Sequence, residues 1–454
     1  MSAFSFELIL IFAFLSCLLI VGVIFRGTIK FIQNFLIPAS ITGGIFGLLL
    51  LQIGKYYNLI EHENIVSILE TFAYHFFNIS FISIGLTPSQ KEKRKEHINV
   101  YKGSLWMALI QGINFPLQAF VGGLIVFLMI SFGIEIHPML GFLFPLGFNE
   151  GPGQALSFGK VWEGFGFEHA ASIGLSFATL GYFYCIFVGV PLANWGIKKG
   201  FIKNIKKPSE DFKKGFYSSN KIELIKLQNS THPNSLEPLA FQISLIGLVI
   251  LITYIFLWTL SKFLPQDISK MLWGFFFLFG ITFSILVRKF LQWIKKEYLI
   301  EVFIQEKITS FAVDFLVVST ITSIQIHIFK TFLLPILLIS LIGGTLTTML
   351  IILLGRQLKD YFWERILAIF GIVTGTTSTG LLLIKIVDPK LETPVAKEIA
   401  LMNLFSIPII GTFTILINGY FWWKLSLLTM IFIFLGFSLI FSIITYLFQN
   451  KYKA

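Results

Sequence analysis

The chain has 454 residues, 55% of them hydrophobic and 13% charged, with a formal net charge of +11. Soluble domains carry about 25% charged residues, so this composition excludes an ordinary soluble protein and points to a polytopic membrane protein. The basic excess does not indicate nucleic acid as a partner, because the Lys and Arg lie in short loops between apolar runs rather than on one domain or stripe.

The first apolar run, Phe4–Phe25, is longer than a signal-peptide core. It lacks a preceding basic region and a small-residue cleavage site, so a retained transmembrane helix is expected. A crossing needs about 20 mostly apolar residues. Further spans are expected near 35–54, 65–87, 103–130 and 170–195. After a polar stretch come 238–263, 271–290, 308–327, 331–354, 398–418 and 425–448, making about 11 spans. Cys17 and Cys185 both fall in apolar runs. Two thiols suit neither a disulfide framework nor a transition-metal site, and both read as small buried hydrophobes.

Two glycine-rich polar stretches interrupt this apolar sequence, one in each half. The first is Gly147-Phe148-Asn149-Glu150-Gly151-Pro152-Gly153-Gln154. The second is Gly371-Ile372-Val373-Thr374-Gly375-Thr376-Thr377-Ser378-Thr379-Gly380. Irregular backbone cannot face lipid, because its amides and carbonyls would go unpaired. A matched pair of such breaks is the best sequence pointer to the binding site of a secondary transporter. Segments 138–160 and 366–386 are therefore expected to be re-entrant hairpins, each leaving the membrane on the side it entered.

The basic residues set the orientation. With the N-terminus outside, the internal stretches hold 29 of the 35 Lys and Arg. The external side keeps Lys55, Lys160, Lys262, Lys270, Lys330 and Lys424. This asymmetry follows the positive-inside rule and gives N-out, C-in. The two halves then have opposite polarity, which is an inverted repeat. The expected fold is all-α and polytopic, with five spans and one hairpin per repeat. Residues 1–195 form the first repeat, 196–237 a basic cytoplasmic linker and 238–420 the second repeat. Residues 421–454 add an extra transmembrane helix and a short cytoplasmic tail.

The chain resembles the glutamate:sodium symporter family of bacterial secondary transporters over roughly residues 4–420. Phe76-Phe77 through Ser83-Ile84-Gly85-Leu86 resembles the end of the family's third span. Glu150-Gly151-Pro152-Gly153-Gln154-Ala155 resembles the tip of its first hairpin. Asp360-Tyr361 with Gly371, Gly375, Thr377 and Thr379 resembles its second, and Ile407-Pro408-Ile409-Ile410-Gly411 a later conserved segment. The resemblance implies sodium-driven uptake of glutamate by a multi-pass protein of the bacterial inner membrane. It also implies a homodimer, with a mobile domain carrying both hairpins against a static scaffold. The chain departs from the pattern at Asn149-Glu150, with an added Pro152, at Ser378 where proline is usual, and at Leu416 where an acidic residue is usual.

Glycines let backbone amides approach a small anion, and a helix starting at the tip adds the positive end of its dipole. On that ground Asn149, Glu150, Gly151, Gly153, Gln154, Gly375, Thr376, Thr377, Ser378 and Thr379 are the candidate substrate-binding residues. The plain alternative for the threonines is that they satisfy the irregular backbone themselves. A carboxylate at membrane depth is costly and defaults to function. Three roles are open to Glu150: sodium ligand, proton carrier, or partner of a cationic group on the substrate. Sodium is a hard cation that wants oxygen ligands, so Ser83, Glu150, Asp314, Ser319, Thr320, Thr377 and Asn403 are the candidate ion-binding residues. Interhelical hydrogen bonding is the structural alternative for the hydroxyls, and snorkelling near the cytoplasmic interface for Asp314.

The expected function is sodium-coupled symport of glutamate or a related small anionic substrate by alternating access. The alternatives are a proton-coupled carrier of another small carboxylate or amino acid using Glu150, or a channel or other embedded protein. No organic cofactor is expected. An enzyme is disfavoured, since the seven histidines show no metal-ligand spacing and there is no nucleophile elbow or phosphate loop.

Overall fold

The computed structural model describes residues 6–87, 97–202, 237–358, 360–388 and 393–453. Most of the expected basic linker, residues 203–236, lies outside the described residues. The fold is all-helical, 84% helix, and no strand occurs among the described residues. In the first half come α1 (Glu7–Thr28), α2 (Lys30–Asn34), α3 (Ala39–Tyr56), α4 (His62–Leu86) and α5 (His97–Ser131). They are followed by α6 (Pro152–Glu163), α7 (Ala170–Tyr184) and α8 (Val190–Lys198). The second half has α9 (Pro238–Ser261), α10 (Gln266–Gly274), α11 (Phe276–Trp293), α12 (Val302–Thr322) and α13 (Ile326–Thr331). It continues with α14 (Leu333–Gly355), α15 (Phe362–Val373), α16 (Thr377–Val387), α17 (Val395–Leu416), α18 (Gly419–Trp422) and α19 (Leu427–Lys453).

Nine helices among the described residues are long and apolar enough to cross a membrane. The expected spans 35–54 and 308–327 form helices α3 and α12 but fall outside these nine. Their polarity explains why: α3 carries Gln52 and Lys55, and α12 carries Glu306, Lys307 and Asp314. Helix α12 also begins at Val302, earlier than the hydropathy suggests, so Asp314 sits past its midpoint rather than near its start. The expected span 271–290 is broken at Phe275, where α10 ends and α11 begins.

Helices in lipid gain little from excluding water and instead associate through close packing and hydrogen bonds. Helices α1 and α3 show how closely they approach: a Cβ on Gly43 would collide with the Leu18 carbonyl oxygen. The packing sorts the helices into two groups. Helix α4 runs against α11 and α12, α3 against α1 and α12, and α9 against α11. The other group is built on α5, which packs against α14, α17 and α19 and also touches both glycine-rich segments. Helix α6 joins the groups by touching α4, α10 and α12, and α7 does so by touching α12 and α13.

Each glycine-rich stretch is the bend of a helical hairpin. The first descends through a 3-10 turn (Leu140–Phe142) and a π turn (Pro145–Asn149), bends at Glu150-Gly151 and leaves along α6. The second descends along α15, bends at Thr374-Gly375-Thr376 and leaves along α16. Helices α6 and α15 have 12 residues each and α16 has 11. At about 1.5 Å per residue such arms reach about 18 Å, little more than half of a hydrocarbon core of about 30 Å. The first hairpin is almost wholly enclosed: Leu140, Phe142, Phe144, Leu146 and Phe148 are completely buried.

A bidentate ion pair secures the second hairpin. Arg365 Nε donates to Glu398 Oε2 at 2.8 Å, and its second guanidinium nitrogen donates to Oε1 at 2.6 Å. Glu398 on α17 is completely buried, and Arg365 also donates to the Asp360 carbonyl at 2.8 Å.

Candidate functional site

The two hairpin tips meet. Gly151 has φ +88°, a left-handed conformation in which a side chain is strained. A Cβ there would come within 2.9 Å of Thr376 Cγ2 and 3.2 Å of the Gly375 carbonyl oxygen. Glycine therefore serves both the turn and the close approach of the second tip. Pro152 follows at the first position of α6, where its missing N–H costs nothing.

At the first tip, Glu150 is half-buried and gripped by two amides. Gln111 Nε2 donates to Oε1 and Gln154 Nε2 to Oε2, each at 3.0 Å. Gln111 and Gln154 are buried, and each leaves its own side-chain oxygen without a hydrogen-bond partner among the described residues. Asn149 is 2% exposed, and neither its side-chain oxygen nor its nitrogen has one. Gly153 packs against the Phe77 ring of α4.

At the second tip the hydroxyls divide into two sets. Thr379 Oγ1 accepts from the Thr376 amide at 2.8 Å and donates to the Gly371 carbonyl at 2.7 Å, while the Thr376 side chain completes a capping box. Thr374 Oγ1 donates to the Phe370 carbonyl at 2.7 Å. These groups hold the bend itself. Thr376 and Thr377 are half-buried and Ser378 is exposed, at the first turn of α16, where amide N–H groups lack partners within the helix. Gly375 is buried against Thr379 Oγ1. On the α7 side, the Tyr182 hydroxyl approaches Thr376 without closing a full hydrogen bond.

Helix α5 bridges the tips with three amides that spacing alone could have flagged. Gln111, Asn114 and Gln118 stand at i, i+3 and i+7, one face of a helix that is otherwise apolar. Gln111 holds Glu150, while Gln118 Nε2 donates to the Val373 carbonyl at 3.2 Å and to Thr347 Oγ1 at 3.1 Å. The side-chain oxygens of Asn114 and Gln118 are buried without a hydrogen-bond partner. None of the three is among the candidate residues expected from the sequence.

The candidate ion-binding residues are dispersed. Asp314 on α12 is exposed and approaches Ser40 at the start of α3 without closing a full hydrogen bond, on the side of α12 that faces Tyr182. The Ser319 hydroxyl is spent on the Phe315 carbonyl at 2.7 Å. Thr320 is completely buried, and its hydroxyl has no hydrogen-bond partner. Ser83 belongs to a different network: its hydroxyl lies 2.6 Å from Gln305 Oε1, Gln305 Nε2 donates to Gln242 Oε1 at 3.1 Å, and Gln242 Nε2 to the Leu299 carbonyl at 2.8 Å. Asn403 is half-buried on α17, and no hydrogen bond among the described residues links its side chain to either tip. Thus Asn149, Glu150, Gly151, Gln154, Gly375 and Thr376–Thr379 come together, Asp314 approaches them through Tyr182, and Ser83 and Asn403 stand apart.

No curated protein matches the chain. A family model described as sodium/glutamate symporter matches residues 4–361, which takes in the first tip and α5 but stops short of the second tip. That family consists of transporters rather than enzymes, in keeping with the multi-pass membrane architecture. The match spans well over half of the chain, and the protein belongs to the sodium/glutamate symporter family.

Proposed function

We propose that the protein is a secondary active transporter in which an inward sodium gradient drives uptake of glutamate or a closely related small substrate by alternating access. The observation that carries this reading is the meeting of two interrupted hairpins, one from each half, around buried polar groups that have no hydrogen-bond partners. The first turn of α16 would receive a substrate carboxylate on its amides and on Thr377 and Ser378. Asp314 and Thr377, with Thr320, are oxygen donors suited to the coupling ion. The group built on α5 would move against the group built on α4 and α12. In this reading the hairpins are re-entrant, the halves form an inverted repeat, and the N-terminus lies outside and the C-terminus inside. The protein would reside as a homodimer in the bacterial inner membrane.

The test is uptake of labelled glutamate into proteoliposomes with and without an inward sodium gradient. Accumulation only with the gradient is expected. Equal accumulation in its absence would remove the coupling claim. The grip on Glu150 also suits a proton-coupled cycle. That alternative requires uptake driven by a pH gradient alone and lost in Glu150→Gln.

A further inference from the structure

The polarity of the first tip is lopsided. Gln111 and Gln154 both turn their N–H donors inward onto the Glu150 carboxylate. What remains beside that carboxylate is a set of acceptors: the side-chain oxygens of the two glutamines, both without partners and both on residues at least nine-tenths buried. Asn149, next in the chain, adds a buried amide with no partner. Of the cations in the neighbouring arms, Lys385 lies in the last turn of α16, at the far end of that arm from the tip, and the other two are paired. Lys160 pairs with Glu70 at 2.7 Å and with Glu163 at 3.3 Å, and Arg365 pairs with Glu398.

A half-buried carboxylate whose two partner amides leave their oxygens unpaired has no use for a second anion. It is matched by a group with several N–H donors and a positive charge, because each donor can satisfy one orphaned acceptor while the charge balances the carboxylate. The second tip has the opposite character, with amide donors and hydroxyls at the positive end of a helix. The tips touch at Gly151 and Gly375, so one small molecule can reach both.

We propose that Glu150, held by Gln111 and Gln154, is the receptor for the primary ammonium group of the substrate, so that the protein carries amino acids and rejects their deaminated counterparts. This deepens the transporter reading above and rests on it. The α-carboxylate of the same molecule lies toward the first turn of α16. A dicarboxylate without an amine leaves Glu150 unpaired and brings a like charge toward it.

The experiment compares amino acids with their deaminated analogues on the purified full-length protein in saturating sodium. Glutamate is set against glutarate, and alanine and glutamine against propionate and glutaramate. Thermal stabilisation and competition against labelled substrate are the readouts. An amine-bearing member is expected to bind at least about tenfold more tightly than its partner, since the analogue leaves the half-buried Glu150 carboxylate unpaired. In Glu150→Gln, checked for folding by its monodisperse elution, that ratio is expected to fall to within about threefold, because the ionic partner is gone while the amides remain.

Glutarate binding as well as glutamate in the wild type would overturn the proposal while leaving dicarboxylate transport intact. Binding of alanine or glutamine but not glutamate would remove glutamate as substrate while the ammonium receptor stands. Retention of the full ratio in Glu150→Gln overturns the proposal, as does a variant that alters only the sodium or pH dependence. No stabilisation by any amine overturns it as well.

Discussion

Two buried polar regions of this protein invite comparison. In the network of Ser83, Gln305 and Gln242, each glutamine uses both ends of its amide, and the chain closes on the Leu299 carbonyl. At the hairpin tips, Gln111 and Gln154 each use one end and Asn149 neither. An unsatisfied buried group costs about 1–3 kcal/mol, so the first region stabilises the fold and the second is held at the fold's expense. Such a cost persists where something else satisfies the groups during function. On the proposed function, the difference separates scaffold polarity from site polarity even though both sets of amides are hidden.

Three substitutions sharpen or break this distinction, ranked by their effect on stability. Arg365→Ala removes one partner of a pair whose other member, Glu398, is completely buried. Stranding a buried charge costs about 3–5 kcal/mol, so a large drop in the thermal midpoint in detergent is expected. A change below about 1 kcal/mol would mean that water reaches Glu398, since exposed pairs are worth no more than that. Gln305→Ala cuts the satisfied network at its centre. A loss of about 1–2 kcal/mol is expected for interhelical hydrogen bonds of this kind, with uptake per folded molecule within about twofold of wild type. Strong loss of uptake without loss of stability would make that network part of the transport path.

Asn149→Ala should behave in the opposite way. It removes a buried amide with no hydrogen bonds, so stability is expected to be unchanged within about 0.5 kcal/mol or to improve. Uptake is expected to fall at least about tenfold, because the transport complex loses a polar partner. Clear destabilisation with normal uptake would assign Asn149 to the scaffold and erase the contrast.

Much of the architecture was legible in the sequence. Long apolar runs announced the crossing helices, and the glycine-rich breaks marked both bends. The two boundary errors were local. The polar first turns of α12, including Gln305, Glu306 and Lys307, hid the true start of that helix. At Phe275 nothing in hydropathy distinguishes a continuous helix from α10 followed by α11. The site was legible only in part. Glu150 stands out as a carboxylate in apolar sequence, whereas Gln111 lies 39 residues away on another helix, and spacing on α5 carries no sign of its pairing with Glu150.

The sequence by itself determined which segments are apolar enough to cross a membrane, where they break, and which polar residues sit at the breaks. These properties depend on local composition and on glycine's backbone freedom. Only the tertiary structure decided that the tips touch, that Gln118 reaches Val373 across 255 positions, and that Ser83 is spent on Gln305 rather than on the tips. Which polar groups pair and which remain unpaired follows from how helices distant in sequence pack against one another, and hydropathy carries no record of that.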